Sequence, residues 1–437
     1  MNFYKKFNIV PKDIVTFTGA GGKTSLIFKL ANELKSIGKV LITTTTKMYI
    51  PDIEMYENLI LQNKSSNLSK GKNNNIDILA KDINFETNKI IGVDEAFLKK
   101  HIQNYDYILI EGDGASRKLI KIWSESEPVI PVCSTKVIGI INIDALNKPV
   151  SEFAHRTELF CKEFSCKETD VISIETMLKY SNSQDFFKLY SGKRYVFING
   201  VENLIGFETA LHIAINLKFE VVIGSIFKDE AYKYKRIAAV ILASGFSKRM
   251  GKNKSKILYK KETLLENILN KVQNIDFKYS LVVVRNENIE NLNQNKYKNF
   301  NFILNNTPEK GQSQSVVLGV EYLKEANVDG YMFFPCDQPF LKKESILKLI
   351  YYFMKRDKIT MPSIKNKFFS PVIFPKRYSE QLLSLTGDRG GKSIIMSEKK
   401  KIKVKFNEFL EFHDIDSVKD LDILKKVEGE NNGNYSC

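Results

Sequence analysis

The sequence predicts two α/β domains in tandem. Three observations carry this reading. A strand–loop–helix–strand pattern opens near residue 14, a second opens near residue 237, and alternating apolar strand and helix signals follow each. In the first pattern IVTF (14–17) reads as a strand, KTSLIFKLANELKSIG (23–38) as a helix and VLITTTT (40–46) as the next strand. In the second, IAAVILA (237–243) is a strand, a basic loop follows, a helix runs from Leu264 to about Val272, and SLVVVR (280–285) is the next strand. The polar stretch FKDEAYKYKR (227–236) separates the two, giving expected domains of 1–230 and 236–427. NKSSNLSKGKNNN (63–75) reads as a surface loop and EGENNGNYSC (428–437) as a disordered tail.

Composition narrows the function classes. The chain has 437 residues, 43% hydrophobic and 27% charged, so it can build packed cores. No run approaches the ~18 apolar residues of a membrane helix, and the opening MNFYKKFNIVPKD lacks a signal-peptide core. A cytoplasmic location without a membrane partner is therefore expected. The five cysteines are scattered, which argues against a disulfide framework. Cys161 and Cys166, near His155, read as plain thiols rather than as a metal site. Residues 1–230 hold 29 basic and 28 acidic side chains, whereas the remainder holds 37 and 23, a net of +14. A basic half attracts polyanions. No helix-turn-helix, zinc-finger or RNA-binding aromatic signature accompanies it, so phosphorylated small molecules are expected rather than nucleic acid.

The loop TGAGGKTS (18–25) lies between a predicted strand and helix. Glycines let its backbone aim N–H groups at phosphate, and the helix N-terminus adds positive character. It has the short G-x-x-G-K-T form, Gly19 to Thr24, with Phe17 where a full Walker pattern has Gly. Gly19, Gly21, Gly22, Lys23 and Thr24 are the candidate nucleotide contacts, with Thr24 also offering its hydroxyl to Mg²⁺. Four threonines, 43–46, extend the next strand, and alternation predicts two hydroxyls on each face. YDYILIEGDGASRK (105–118) is an apolar strand ending in acids, which places Glu111 and Asp113 to bind Mg²⁺ or position a water.

In the second half, Leu242, Ala243, Ser244 and Gly245 end a buried strand and lead into FSKRMGKNKSK. Small residues let the backbone wrap a triphosphate, and Lys248, Arg249, Lys252, Lys254 and Lys256 supply charge toward a pyrophosphate leaving group. FFPCDQPFL (333–341) breaks at Asp337, a natural Mg²⁺ ligand at a strand end. HDIDSVKDL (413–421) offers Asp414 and Asp416 as a second acidic strand end.

Two resemblances follow from these residues. TGAGGKTSL, TTTTKM, EGDGASR, SEPVIP and VIGIINIDALNKP…HR, within about residues 1–225, resemble the YqeC family, accessory proteins of selenium-dependent molybdenum hydroxylases. This implies a P-loop-like nucleotide-binding domain acting in hydroxylase maturation, with a molybdenum hydroxylase apoprotein as partner. Relatives often carry an Asn-Lys-x-Asp segment where this chain has FINGVEN (197–203). The order LASGFSKRMG, TPEKGQSQSVVLG, CDQP, SPVIF, GDRGGK and DIDSVKDL, over about 236–425, resembles the MocA-like molybdenum cofactor cytidylyltransferases.

That second resemblance implies a Rossmann-like nucleotidyltransferase domain using CTP, molybdopterin cofactor and Mg²⁺. It assigns Arg249 and Lys254 to the triphosphate, Gly311, Ser313 and Ser315 to the nucleotide, and Asp337 and Asp416 to the metal. Asp388 and Lys392 of GDRGGK fall near the pterin phosphate. Ser370 stands where His or Asn often precedes Pro-Val, and Lys392 where Arg is usual. Two other readings stay open: transfer to a different phosphorylated acceptor, and a non-catalytic carrier that delivers cofactor.

Overall fold

A computed structural model describes residues 2–62, 75–245, 254–290 and 292–433. The chain divides into two compact units, Met1–Tyr234 and Lys235–Cys437.

The first unit is built on nine strands: β1 (Ile14–Gly19), β2 (Val40–Thr44), β3 (Asn58–Leu61), β4 (Ile76–Ala80), β5 (Tyr107–Glu111), β6 (Lys136–Asn142), β7 (Lys193–Asn199), β8 (Glu220–Ser225) and β9 (Glu230–Lys233). Their order across the sheet is β9-β8-β7-β6-β1-β5-β2-β4-β3. Every pairing is parallel except β8 with β9. Strands such as Ile14–Gly19 and Lys136–Asn142 are buried along their whole length, because a parallel sheet is covered on both faces. Helix α1 (Lys23–Leu34) follows β1 and buries Leu26, Ile27, Leu30, Ala31 and Leu34. Its spacing of apolar residues makes a single core-facing stripe. Phe3 and Phe7 pack edge-on against Phe197. Strand β1 lies between β5 and β6, so its loop opens into the crevice where connections diverge to either side.

The expected boundary at residue 230 falls too early. Residues 230–233 form the antiparallel edge strand β9, with Ala231 and Tyr232 buried, so the unit runs to Tyr234. Its polar composition reflects an edge position rather than a linker. The 63–75 stretch lies outside the described residues apart from Asn75.

The second unit has eight sheet strands: β10 (Ile237–Ala243), β11 (Tyr279–Val284), β12 (Phe300–Leu304), β13 (Gly330–Pro335), β14 (Thr360–Ile364), β15 (Lys367–Phe368), β16 (Val372–Pro375) and β17 (Ile402–Lys405). The order is β12-β11-β10-β13-β16-β14-β15, with β17 pairing β14. Strands β12 to β13 are parallel, and β16 runs antiparallel to β13 and β14. Helix α2 (Leu264–Val272) begins with a complete capping box between Thr263 and Glu266. Helix α3 (Gln312–Tyr322) packs Val316 and Val320 into the core beside Val240, Phe333 and Phe374. The last helix, α4 (Val418–Gly433), includes residues 428–433, so the expected tail begins as helix; 434–437 lie outside the described residues.

Candidate functional site

In the first unit the loop after β1 takes the conformation that its glycines permit. Gly19, Gly21 and Gly22 have φ of 94°, 73° and 136°. A Cβ at Gly21 would lie 2.4 Å from that of Asn142. Asn142 and Asn199, at the ends of β6 and β7, each donate an Nδ2 hydrogen bond of 3.0 Å to the Gly21 carbonyl. These two asparagines were not singled out from the sequence; both end a strand, which is the signal they offered. The loop, α1's first turn, Glu111 and both asparagines line one cavity of about 970 Å³.

Lys23 does not point into open space. Its ammonium donates to Gly19 O at 2.6 Å and pairs with Asp113 at 3.1 Å. Asp113 is completely buried and also accepts from Gly19 N–H (3.0 Å) and the Trp123 indole (2.5 Å). Lys121, equally buried, lies 3.3 Å from it. Asp113 therefore does not fit the metal position expected of it, because its carboxylate is consumed in holding the loop and its lysine. Glu111 and Glu127 are the acids that line the cavity, and Glu111 accepts the Thr24 hydroxyl at 2.8 Å. Burial raises the Glu111 carboxyl, against the lowering effect of Lys23.

The threonine strand also differs from the alternating expectation. It ends at Thr44. Thr43, Thr44 and Thr45 donate to the carbonyls of Leu79, Glu111 and Val129. Only Thr46, whose hydroxyl has no hydrogen-bond partner, lines the cavity.

Glu127, on the wall of the same cavity, binds Lys121 at 2.9 Å and Arg156 at 2.7 Å. Burial pushes its carboxyl up, but these two cations outweigh that and hold it at about 2, below its usual 4.5. A depressed carboxylate stabilises the fold above its unfolded pKa and ceases to as pH falls through its folded one. The first unit should therefore lose about 2 kcal/mol between pH 4.5 and pH 2, after discounting for solvent screening at this partly accessible group. Acid unfolding followed by the emission of Trp123, the chain's one tryptophan, should shift to higher pH less steeply in Glu127→Gln. An acid profile identical to that of the unaltered protein would contradict this.

The second unit places its candidates around two adjoining cavities, of about 280 and 700 Å³. Leu242, Gln312, Pro335 and Asp388 line both. In the smaller, Leu242, Ala243, Ser244 and Gly245 form one wall. Ser244 and Ser315 hydroxyls lie 2.5 Å apart, Asn305 donates to Ser244 Oγ at 2.9 Å, and Asn288 donates to the Ala243 carbonyl at 2.7 Å. Gly311 precedes α3 with φ 87°, so the helix N-terminus, with buried Ser313 in its first turn, faces this wall. Arg249 lies outside the described residues.

Lys254 faces the smaller cavity, whereas Lys256 is exposed and does not line it. The Lys254 ammonium lies 3.1 Å from Asp337 and in direct contact with Asp416. Burial raises the Asp337 carboxyl despite Lys254. Asp414 is part of the same cluster. Gln338 Nε2 donates to it at 2.9 Å, and burial together with Asp337 pushes it up to about 7. Asp420 anchors this acidic segment, accepting from the N–H groups of Asp416 and Ser417 and from the Ser417 hydroxyl. Among the described residues, no three metal-ligating side chains surround one point. Two carboxylates, Asp337 and Asp416, are nevertheless a suitable donor pair for a hard cation that takes its other ligands from phosphate and water. Gln338 gains its place only through the fold, although it directly follows Asp337.

The larger cavity has an aromatic and aliphatic wall including Phe333, Phe368, Phe374 and Met361. Lys392 and Asp388 lie on its rim side. A Cβ on Gly311 would be 2.2 Å from Asp388 Oδ1, so the 387–391 loop packs directly on the start of α3.

Comparison with known proteins adds the following. The YqeC protein model matches residues 15–158, and the MobA-like NTP transferase domain model matches 239–402. The uncharacterized protein YqeC of Escherichia coli is 32% identical over 151 residues, covering 34% of this chain and 59% of that protein's length. The purine catabolism protein PucB of Bacillus subtilis is 26% identical over 168 residues, covering 37% of this chain and 81% of its own. Among solved structures, the Mycobacterium tuberculosis rv0371c homolog from mycobacterium sp. strain JC1 is 20% identical, with a TM-score of 0.39 over 44% of this chain and 96% of that one. The chain thus carries two domains in succession, a YqeC domain followed by a MobA-like NTP transferase domain.

Proposed function

We propose that the second unit transfers CMP from CTP to the molybdopterin cofactor and releases pyrophosphate. The first unit binds a second nucleotide and assists maturation of a selenium-dependent molybdenum hydroxylase, whose apoprotein would receive the product. The observation that carries this reading is the pair of adjoining cavities. One has a phosphate-like lining of small residues, Lys254 and a helix N-terminus; the other has an apolar wall suited to a flat ring system, with Lys392 nearby.

In this reading an acceptor phosphate oxygen attacks the α-phosphorus of CTP while the bond to the bridging oxygen of pyrophosphate breaks. Arg249 and Lys254 neutralise the triphosphate, and the backbone of Gly311, Ser313 and Ser315 holds the nucleotide against Leu242 to Gly245. Asp337 and Asp416 fix the position of Lys254. Mg²⁺, held by the same carboxylates, would supply further charge stabilisation to the leaving pyrophosphate. Asp388 and Lys392 orient the acceptor where the cavities join. In the first unit, Thr24 and Glu111 are the pair that fits Mg²⁺. No helix among the described residues is long and apolar enough to cross a membrane.

The choice of CTP rests on the LASG (242–245) and DQP (337–339) segments. Full-length protein with Mg²⁺ and molybdopterin cofactor should release pyrophosphate far faster with CTP than with GTP. Equal or reversed rates would overturn the cytidylyl assignment. Turnover only with another phosphorylated acceptor would reassign the substrate, and binding without pyrophosphate release would favour a carrier.

A further inference from the structure

The cavity of the first unit extends well beyond the glycine loop. At about 970 Å³ it lies near the upper end of the range for small-molecule sites. Part of its lip, Lys47 to Tyr49 and Lys89, comes from a small three-stranded sheet of residues 47–49, 82–84 and 89–91. Alternation along 47–49 buries Met48 and turns Lys47 and Tyr49 outward to the lip. Tyr49 pairs across the strands with Lys89. The Lys89 ammonium lies 4.6 Å from the centre of the Tyr49 ring, and the Arg117 guanidinium lies 4.4 Å from it. The two cations are thus at most 9.0 Å apart.

Arg117 reaches this position from a costly backbone. It and Ser116 are consecutive non-glycine residues in the left-handed region, with φ of 61° and 47°. No ion pair to a carboxylate is formed by Lys47, Lys89 or Arg117 among the described residues. The acids of the same cavity, Glu111 and Glu127, are engaged by Thr24 and by Lys121 and Arg156, so the Lys89 and Arg117 charges on either side of Tyr49 repel one another, and a dianion between them would relieve that repulsion. A planar fork over an aromatic face is a geometry in which arginine can grip phosphate on two sides.

We infer that Lys89 and Arg117, arranged around Tyr49, form with Lys47 of the same cavity a second anion subsite that takes a phosphorylated small molecule. This molecule would face the phosphates held by the glycine loop across the same cavity, so the first unit would bind two ligands at once. The inference rests on reading the Gly19–Thr24 loop as a phosphate cradle. A small molecule fits better than a polymer, because the cations line the same cavity as the loop rather than an open face.

The test uses the full chain with Mg²⁺. Both nucleotide sites are first saturated, with a β,γ-imido analogue of ATP and an α,β-methylene analogue of CTP. Occupancy of the glycine loop is read from Trp123 emission, since its indole contacts Asp113 and Asp113 holds Lys23. Inorganic phosphate is then titrated by calorimetry. The unaltered protein should bind it saturably, and the double substitution Lys89→Ala/Arg117→Ala should weaken that binding at least 10-fold. The same variant should change analogue affinity less than 2-fold. Unchanged phosphate binding in the double variant, or phosphate that displaces the ATP analogue, would overturn the subsite. Lys23→Ala separates the two readings: it should abolish the Trp123 response while phosphate still binds at the lip. A full Trp123 response in Lys23→Ala would remove the cradle reading, and the lip would then stand or fall on the phosphate titration alone.

Discussion

Asp337→Asn should lower nucleotidyl transfer by about 10²- to 10³-fold while leaving the second unit folded. The carboxylate contacts Lys254 at 3.1 Å and shares that ammonium with Asp416. Its amide replacement keeps the shape but removes a charge that both fixes the lysine and suits a divalent cation. The loss should appear in the rate at saturating CTP, because these charges matter most as pyrophosphate departs. Backbone support for the segment survives, since Ile415 N–H donates to the Asp337 carbonyl rather than to its side chain. Asp416→Asn should cost less, because half of that side chain is exposed. Pyrophosphate release measured beside circular dichroism decides the matter. Near-normal turnover, or a loss that merely follows loss of folded protein, would refute the assignment.

Lys121→Met should destabilise the first unit by about 3–5 kcal/mol. Lys121 is fully buried, donates to Gly114 O at 2.6 Å, and is shared between Asp113 and Glu127. Methionine fills similar space but leaves both acids short of a cation in a medium that penalises unpaired charge. Urea unfolding followed by Trp123 emission reads this unit alone, as the second unit has no tryptophan. The midpoint should fall by about 1 M or more. Pyrophosphate release by the second unit should persist in the same preparation. An unmoved midpoint would show that the buried network adds nothing net.

Much of the fold was legible because the central strands are unbroken apolar runs bounded by glycines and charge. IAAVILA forms β10 over the same residues, 237–243, and the helix beginning at Leu264 carries its own capping signal. Side-chain direction was less legible. Glu111 ends β5, but two residues later the chain has left the sheet, so the period of two no longer decides where Asp113 points. Lys121 was not singled out from the sequence; its partners are acids 8 residues before and 6 after it, brought together only by tertiary packing. The threonine run was misread for a related reason: the strand stops at Thr44, and three hydroxyls are spent on neighbouring carbonyls. Asp414 and Asp416 read as an acidic pair, but their two-residue spacing does not reveal that Gln338 captures Asp414 while Lys254 takes Asp416.

The close packing of Gly311 on Asp388 has a consequence for altering what the second unit accepts. The segments holding residues 311 and 388 each border both cavities, and each is part of the other's support. A graft that exchanges residues 386–392 for those of a protein with another acceptor would also reshape the bed on which the nucleotide lies. Donor and acceptor preference in this unit are therefore a joint trait. Variation that succeeds should come as matched changes in both segments, with Gly311 retained as the fixed point between them.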